Sequence, residues 1–154
     1  MEFIKREKRA GCFFCEAARA DPGEDVAHLV LARTDLSLVM LNRYPYNNGH
    51  LMVAPQAHLA NLEDLPAAAA SDMATLTQRA LRVLRDVLKP QGFNLGINAG
   101  KIAGAGVADH VHQNVVPRWD GDTNFMPVIA ETKVLNESLT ASYAQLRAGF
   151  DRMP

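Results

Sequence analysis

Residues 109–119 constrain the fold more than any other part of the chain, because two of its five histidines occur there two residues apart. The stretch DHVHQNVVPRW is rich in valine, which favours an extended strand. Side chains two apart on a strand share a face, so His110, His112 and Asn114 are predicted to project together. Pro117 has no N–H to donate and is expected to end the regular ladder. An exposed strand that happens to carry two histidines is the alternative, and this stretch alone does not separate the two.

The composition is that of an ordinary soluble globular protein. The chain has 154 residues, a formal net charge of −1 and 21% charged residues. A chain of this length buries about 70% of its unfolded surface, so one domain over residues 1–154 needs no cross-links. The near-neutral charge offers no field for holding nucleic acid non-specifically, so any phosphate must be bound by local groups. No apolar leader follows the charged N-terminus and no apolar run reaches membrane-spanning length, so we expect a cytoplasmic protein without nucleic-acid or membrane partners.

Cys12 and Cys15 are the only cysteines, and they are three residues apart. Such a pair is compatible with a redox site, half of a metal site or two buried thiols, and structural disulfides are rare in a reducing compartment. If the pair binds zinc, the two remaining ligands must be histidine or carboxylate, because the chain has no further cysteine.

The rest of the chain reads as strands in runs with two main helices. Residues 28–33 and 36–42 are predicted to form a hairpin in which His28 is an exposed strand residue. Residues 50–54 and 92–98 are predicted as the third and fourth strands. Apolar residues at helical spacing predict helices over residues 66–88 and 139–150. With the histidine strand, these elements predict an α+β domain of about five strands and two main helices.

A loop with three glycines, residues 99–106, joins the fourth strand to the histidine strand. Glycines let backbone N–H groups approach a ligand closely, although a glycine-rich loop is commonly just a turn. Its direct attachment to the histidine strand favours a phosphate cradle.

The order of these motifs resembles the histidine triad family of nucleotide hydrolases and transferases. The matching stretches are CFFC at residues 12–15, NRYPYNNGHLMVAPQAH at 42–58, GFNLGINAG at 92–100 and AGAGVADHVHQNVVPRW at 103–119. The resemblance is strongest to the branch that cleaves diadenosine polyphosphates, including diadenosine tetraphosphate phosphorylases, where PRW is followed by GDxNF as at residues 117–125 here. It implies an antiparallel sheet flanked by helices, and pairing across a two-fold axis into a homodimer.

The resemblance also implies roles for individual residues. His112 matches the nucleophile that attacks the α-phosphorus and carries the nucleotidyl group, a role that suits a neutral imidazole. His110 and Asn114 flank it in the catalytic row. Arg118 is compatible with a phosphate contact, a solvated position or a dimer face. The predicted nucleotide contacts are Asn42, His50, Asn98, Gly104, Ala105 and Gly106.

Asn114 departs from most of the family, which has a third histidine here, although the galactose-1-phosphate uridylyltransferase branch has a glutamine. An amide donates a hydrogen bond to a phosphate oxygen but carries no proton to a leaving group. Either the natural protein is a transferase with a good leaving group, or Asn114 replaces a natural histidine. The ordinary remainder of the motif favours the second interpretation.

In metal-bearing members of the family, the ligands correspond to Cys12, Cys15, His58 and His110 of this chain. All four positions are filled, and two thiolates with two imidazoles form a closed tetrahedral zinc site of the structural kind. The alternative is a surface histidine at position 58 and two buried thiols.

We therefore predict an enzyme that cleaves dinucleoside polyphosphates of the diadenosine tetraphosphate type at an α-phosphorus. A nucleotidyl-histidine intermediate would be released by phosphorolysis or by hydrolysis. The alternatives are an adenosine phosphoramidate hydrolase of the same superfamily and, because of Asn114, a catalytically impaired nucleotide-binding protein.

Overall fold

The computed structural model describes residues 11–123, residue 135 and residues 137–153, which form four α-helices and five β-strands. Asn124 and Phe125 of the GDxNF match lie outside the described residues. Within the described part of the chain, no helix is both long and apolar enough to cross a bilayer. The helices are α1 (Phe13–Arg19), α2 (Asp25–His28), α3 (Ala67–Val87) and α4 (Leu139–Arg152). The strands are β1 (Val30–Arg33), β2 (Ser37–Leu41), β3 (Leu51–Pro55), β4 (Gly92–Ile97) and β5 (Gln113–Arg118).

The five strands form one sheet in the order β1-β2-β3-β5-β4, and every neighbouring pair is antiparallel. β5 lies between β3 and β4, so Asn114 is opposite Met52 on one side and opposite Gly96 on the other. The predicted α+β class and its antiparallel sheet of five strands are therefore confirmed.

Alternate side chains of the sheet enter two separate apolar cores. On one face, Val53 and Val115 belong to the core formed with α3 and α4. On the other face, Met40 and Met52 pack in the core that contains Phe14 of α1. Because Asn114 is the cross-strand partner of Met52, its side chain lies on the α1 face of the sheet.

The two main helices are confirmed, with bounds close to those predicted. Pro66 is the N-cap of α3, where a proline costs no helical hydrogen bond. α4 approaches α3 closely at Gly149, because a Cβ atom there would lie only 2.8 Å from the Val83 and Val87 methyl groups. This crossing holds α3 and α4 together over the sheet face opposite to Asn114.

Three local predictions were wrong. His28 ends α2 instead of starting a strand, and Leu29 turns the chain with a φ of 61° before β1 begins. His110 and His112 precede β5, so of the predicted row only Asn114 belongs to the strand itself. Pro117 lies within β5, where pairing with β3 has ended at Val115 and pairing with β4 continues. Proline is tolerated there because one side of the strand no longer needs a donor.

Candidate active site and metal centre

The segment before β5 places two imidazoles against one aromatic ring. His110 is fully buried and His112 is 8% exposed. The ring centroid of the buried Phe14 lies 4.9 Å from that of His110 and 5.0 Å from that of His112. The CFFC motif of α1 therefore supplies a packing surface for both histidines as well as two thiols.

A backbone carbonyl selects the tautomer of His112. Its Nδ1 lies 2.9 Å from the carbonyl oxygen of His110, and because a carbonyl only accepts, Nδ1 carries the proton and donates. Nε2 is then the nitrogen with the lone pair. Burial lowers the pKa of His112, and the bond to the His110 carbonyl only partly opposes this shift. The imidazole is therefore neutral and nucleophilic at neutral pH.

His110 has the opposite arrangement. Its Nε2 donates to the carbonyl oxygen of Pro55 at 2.9 Å, so the lone pair is on Nδ1. That nitrogen lies 3.3 Å from the sulfur of Cys12 and 3.6 Å from the sulfur of Cys15. Burial lowers the pKa of His110 as well, which keeps Nδ1 available as a ligand.

Four potential ligand atoms converge beside α1. The sulfurs of Cys12 and Cys15 and one nitrogen each of His58 and His110 all lie within 4.8 Å of one another. His58 Nδ1 is 3.2 Å from the sulfur of Cys15, and the two cysteines are free thiols. Ligands of a tetrahedral zinc are about 3.3–3.8 Å apart at ordinary Zn–S and Zn–N bond lengths, so the donor set fits zinc. The Pro55 carbonyl supplies the outer hydrogen bond that orients the His110 imidazole.

A chain of hydrogen bonds orients the amide of Asn114. The backbone N–H of Tyr46 donates to Nδ1 of the fully buried His50 at 3.1 Å, and Asn42 Nδ2 lies 3.3 Å from the same nitrogen. Since two donors meet Nδ1, the His50 proton is on Nε2, which donates to Asn114 Oδ1 at 3.0 Å. With its oxygen engaged in this bond, Asn114 offers its N–H groups to a ligand.

A cavity of about 360 Å³ opens beside Asn114 on the sheet face opposite to α3. Its volume lies within the range of small-molecule sites. Four asparagines line it, and Arg118 is its one charged lining residue within the described part of the chain. The asparagines are Asn47, Asn94, Asn98 and Asn114.

Two of the three predicted loop contacts already donate their N–H groups within the glycine-rich loop. The N–H of Gly104 donates to the Lys101 carbonyl at 3.1 Å, and that of Ala105 donates to the Gly100 carbonyl at 3.4 Å. Asn98 Nδ2 donates to the Gly104 carbonyl at 3.2 Å and so ties the loop to the cavity. Of the three predicted loop contacts, only Gly106 has an N–H without a hydrogen bond among the described residues.

The structure thus divides the predicted residues between two neighbouring sites. His50, Asn98 and Asn114 lie at or beside the cavity, whereas His110 lies with Cys12, Cys15 and His58. The backbone carbonyl of His110 binds His112, and Phe14 packs against both rings.

Sequence reasoning missed three residues of these sites. Phe14 packs on both histidines, Tyr46 fixes the tautomer of His50, and Asp122 holds Arg118 by two hydrogen bonds. Phe14 and Asp122 lie inside motifs that the sequence singled out. The Tyr46 contact is made by a backbone N–H and leaves no signal in the residue type.

Residues 24–121 match the HIT domain, and the chain belongs to the HIT domain family. An AP-4-A phosphorylase from Mycobacterium tuberculosis is 43% identical over 130 residues, which cover 84% of this chain and 67% of that protein. An adenosine 5'-monophosphoramidase from Schizosaccharomyces pombe is 31% identical over 107 residues, which cover 70% of this chain and 74% of that protein. The predicted family is therefore confirmed.

Among solved structures, a Zn-bound histidine triad family protein from Mycobacterium smegmatis has a similar fold. The TM-score is 0.71 at 28% sequence identity, and the match covers 92% of this chain and 94% of that one. The predicted histidine triad fold is confirmed by this likeness.

Proposed function

We propose that this protein transfers a nucleotidyl group from dinucleoside polyphosphates of the diadenosine tetraphosphate type to inorganic phosphate. The observation that carries the proposal is the pairing of a neutral His112, with its lone pair on Nε2, and an Asn114 amide that opens onto a cavity. The name of the 43% identical relative, AP-4-A phosphorylase, supports the same class of reaction.

His112 is the proposed nucleophile. Its Nε2 attacks the α-phosphorus, so a P–N bond forms while the bridging P–O bond to the next phosphate breaks. The electron pair leaves on the oxygen of the departing nucleoside polyphosphate, and the Nδ1 proton stays in the bond to the His110 carbonyl. A phosphate oxygen then attacks the same phosphorus, and the P–N electrons return to Nε2. Diadenosine tetraphosphate and phosphate would yield ATP and ADP.

Asn114 bears on which acceptor suits the site. Water must lose a proton as it attacks, and a basic leaving group must gain one, but an amide neither takes up nor supplies that proton. Inorganic phosphate is already anionic, and a polyphosphate leaves as a stable anion. We therefore favour phosphorolysis over hydrolysis, with the amide N–H groups binding phosphate oxygens.

The His50 contact supports a natural asparagine at position 114. The buried His50 Nε2 donates to Asn114 Oδ1 at 3.0 Å, which is an ordinary hydrogen-bond length. The asparagine therefore reaches its partner although its side chain is shorter than that of histidine. This arrangement speaks against the interpretation that Asn114 replaces a natural histidine. We propose that Asn114 is the working residue of a transferase-like site.

The remaining predicted contacts are proposed for the nucleotide that carries the α-phosphorus. Asn42 lies beside His50 and is proposed to meet the ribose, while Asn98 and the Gly106 N–H are proposed to meet the phosphates. Gly104 and Ala105 are proposed to shape this loop, because their N–H groups already donate within it.

We propose that Cys12, Cys15, His58 and His110 bind one structural zinc ion. The convergence of their ligand atoms and the Zn-bound relative support it. A bound zinc would supply a cross-link between α1, the segment after β3 and the segment before β5.

We propose that two copies associate through the edge of the sheet formed by β4. Among the described residues, β4 is paired only with β5, and Leu95 on this edge is 45% exposed. A two-fold axis at this edge would bring two identical strands together. Light scattering should show a dimer that Leu95→Lys converts to a monomer, and a monomeric wild type would contradict the pairing.

Product analysis tests the proposed reaction. Diadenosine tetraphosphate is incubated with and without phosphate, using the wild type, His112→Ala and, as a control on a histidine outside the site, His28→Ala. We expect ATP with ADP, dependent on phosphate, in the wild type and His28→Ala alone. AMP with ATP, or two ADP, formed without phosphate would mark hydrolysis and contradict phosphorolysis.

A second candidate is the phosphoramidase activity named for the Schizosaccharomyces pombe relative. An amine leaves well only after it gains a proton, and Asn114 supplies none. We therefore expect adenosine phosphoramidate to be cleaved more slowly than diadenosine tetraphosphate. Faster cleavage of the phosphoramidate would favour this second activity.

A further inference from the structure

Arg118 and Asp122 belong to a motif to which the chemistry of His112 assigns no role, yet they are held firmly. Arg118 Nε and Nη2 donate to the two oxygens of the Asp122 carboxylate at 2.6 and 2.7 Å. The same carboxylate accepts from the Trp119 backbone N–H at 3.1 Å and from Asn47 Nδ2 at 2.8 Å. The guanidinium is therefore fixed at the end of β5 before any ligand arrives.

Arg118 forms the far end of the cavity that begins at Asn114. Asn114, Val116 and Arg118 are alternate residues of β5 and all line the cavity. At about 3.3 Å per residue, Arg118 lies about 13 Å beyond Asn114 along the strand. Arg118 Nη1 donates to Asn94 Oδ1 of β4 at 2.7 Å. The three bonds from Nε, Nη1 and Nη2 occupy three of the five guanidinium N–H groups and leave two for a ligand.

The proposed chemistry directs one half of the substrate toward this cavity. In a phosphoryl-type displacement, the leaving oxygen departs roughly in line with the attacking atom and away from it. His112 precedes Asn114 and is not among the lining residues, whereas the cavity extends from Asn114 to Arg118. A group expelled in line from a phosphorus between His112 and Asn114 would enter this cavity and extend toward Arg118.

We propose that this cavity is the subsite for the departing nucleoside polyphosphate and that Arg118 binds its distal phosphates. The inference rests on the proposed function, because it requires a donor with a polyphosphate leaving group. Arg118 is the cation for the phosphates, and Asn94 offers an amide group to phosphate or sugar oxygens. Arg118 thereby selects the length of the leaving group and does not act on the reacting phosphorus.

The test compares two donors of the same AMP group that differ only in what leaves. Diadenosine tetraphosphate has a leaving group that reaches the subsite, whereas the nitrophenyl ester of AMP does not. Arg118→Gln should lower kcat/KM for the first donor, relative to the second, by about tenfold and mainly through KM. Arg82→Gln, which changes an exposed arginine on α3, is the matched control and should leave the ratio unchanged.

Asn94→Ala provides a second variant that keeps the arginine but removes the acceptor of Nη1. It should also lower kcat/KM for diadenosine tetraphosphate relative to the nitrophenyl ester of AMP, but by less than Arg118→Gln does. Melting curves establish that each variant is folded. An equal effect of Arg118→Gln on both donors, or none on either, would overturn the subsite. Failure of the proposed function would look different, because the wild type would then form no adduct on His112 with either donor, and both proposals would fall.

Discussion

His110 and His112 are two residues apart and pack on the same phenyl ring, yet they face two different sites. The Pro55 carbonyl binds Nε2 of His110, and the His110 carbonyl binds Nδ1 of His112. One imidazole therefore turns its lone pair to two thiols, and the other keeps its lone pair on Nε2. Burial lowers the pKa of both, so burial does not distinguish them. The difference teaches that a backbone carbonyl decides which nitrogen of a histidine is available.

The surroundings of the two histidines differ as well. Cys12, Cys15, His58 and His110 come from three separate parts of the chain, and their potential ligand atoms form a compact cluster. The neighbour of His112 on the other side is Asn114, which opens onto a cavity. The contrast is therefore between a compact cluster of four side chains and a residue that opens onto a cavity.

Removing the His112 side chain should separate the two sites most completely. His112→Ala loses the nucleophile, so we expect cleavage of diadenosine tetraphosphate to fall by about 10⁴-fold or more and the covalent adduct to disappear. The His110 cluster does not use this side chain, so the zinc content should not change. Intact-protein mass after acid-free quenching and elemental analysis measure the two quantities. Labelled adduct on His112→Ala would refute the assignment.

Loss of the proposed zinc should lower the stability of the protein and leave most of its activity. His58 is the exposed member of the ligand set, so His58→Ala removes a ligand without leaving a cavity in the core. Losing about 3 kcal/mol of cross-linking stability would lower the melting temperature by about 6–12 °C in a domain of this size. The nucleophile remains, so activity should fall much less than in His112→Ala. Protein purified without chelator that contains no zinc would contradict the site.

The contrast between the two histidines was only partly predictable from the sequence. The resemblance to the histidine triad family predicted the cluster of Cys12, Cys15, His58 and His110, because it covers all four positions. The tautomers were not predictable, since they depend on carbonyls of Pro55 and His110, and every residue has a carbonyl. The hydrogen bond from His50 to Asn114 joins residues 64 apart in the chain, so the local sequence around either residue does not predict it.

Local backbone geometry accounts for the wrong strand predictions. The β-rich composition of residues 28–33 predicted one strand, but the left-handed turn at Leu29 delays it until Val30. Pro117 was expected to end the ladder because a proline cannot donate, and the structure places it where only β4 pairs. Which side of a strand has a partner depends on tertiary packing, and residue type does not encode it.

Phe14 contacts the histidine of each site. Phe14→Leu keeps an apolar side chain but removes the flat ring that lies against both imidazoles. Small displacements of an attacking atom slow a reaction strongly, so we expect nucleotidylation of His112 to be about tenfold slower. A volume-similar swap costs at most about 1.5 kcal/mol, so the fold and the zinc should persist.

Phe13→Leu tests the neighbouring ring, because Phe13 is 39% exposed and its ring centroid lies 4.3 Å from that of Phe14. Rapid quenching measures the first step, and binding of AMP measures the ground state. We expect the first step to change in Phe14→Leu alone, with AMP binding little altered. Equal slowing in both variants would mean that both rings of α1, and not Phe14 alone, position His112.

The smallest effect should come from the Arg118–Asp122 pair at the far end of the cavity, which contrasts with the buried histidines by being near solvent. Arg118 holds the pKa of Asp122 well below its usual range. A carboxylate whose pKa is depressed in the folded state stabilises the protein at pH values above its unfolded-state pKa, near 4, and this contribution is lost as the pH falls further.

Asp122→Asn should therefore have a slightly lower melting temperature than the wild type at pH 7, and this gap should narrow between pH 4 and pH 2. High salt at pH 7 should also narrow it, since exposed pairs are screened. A gap that stays constant over this pH range would rule out the carboxylate charge as its cause, because the asparagine oxygen still accepts from Asn47 and Trp119.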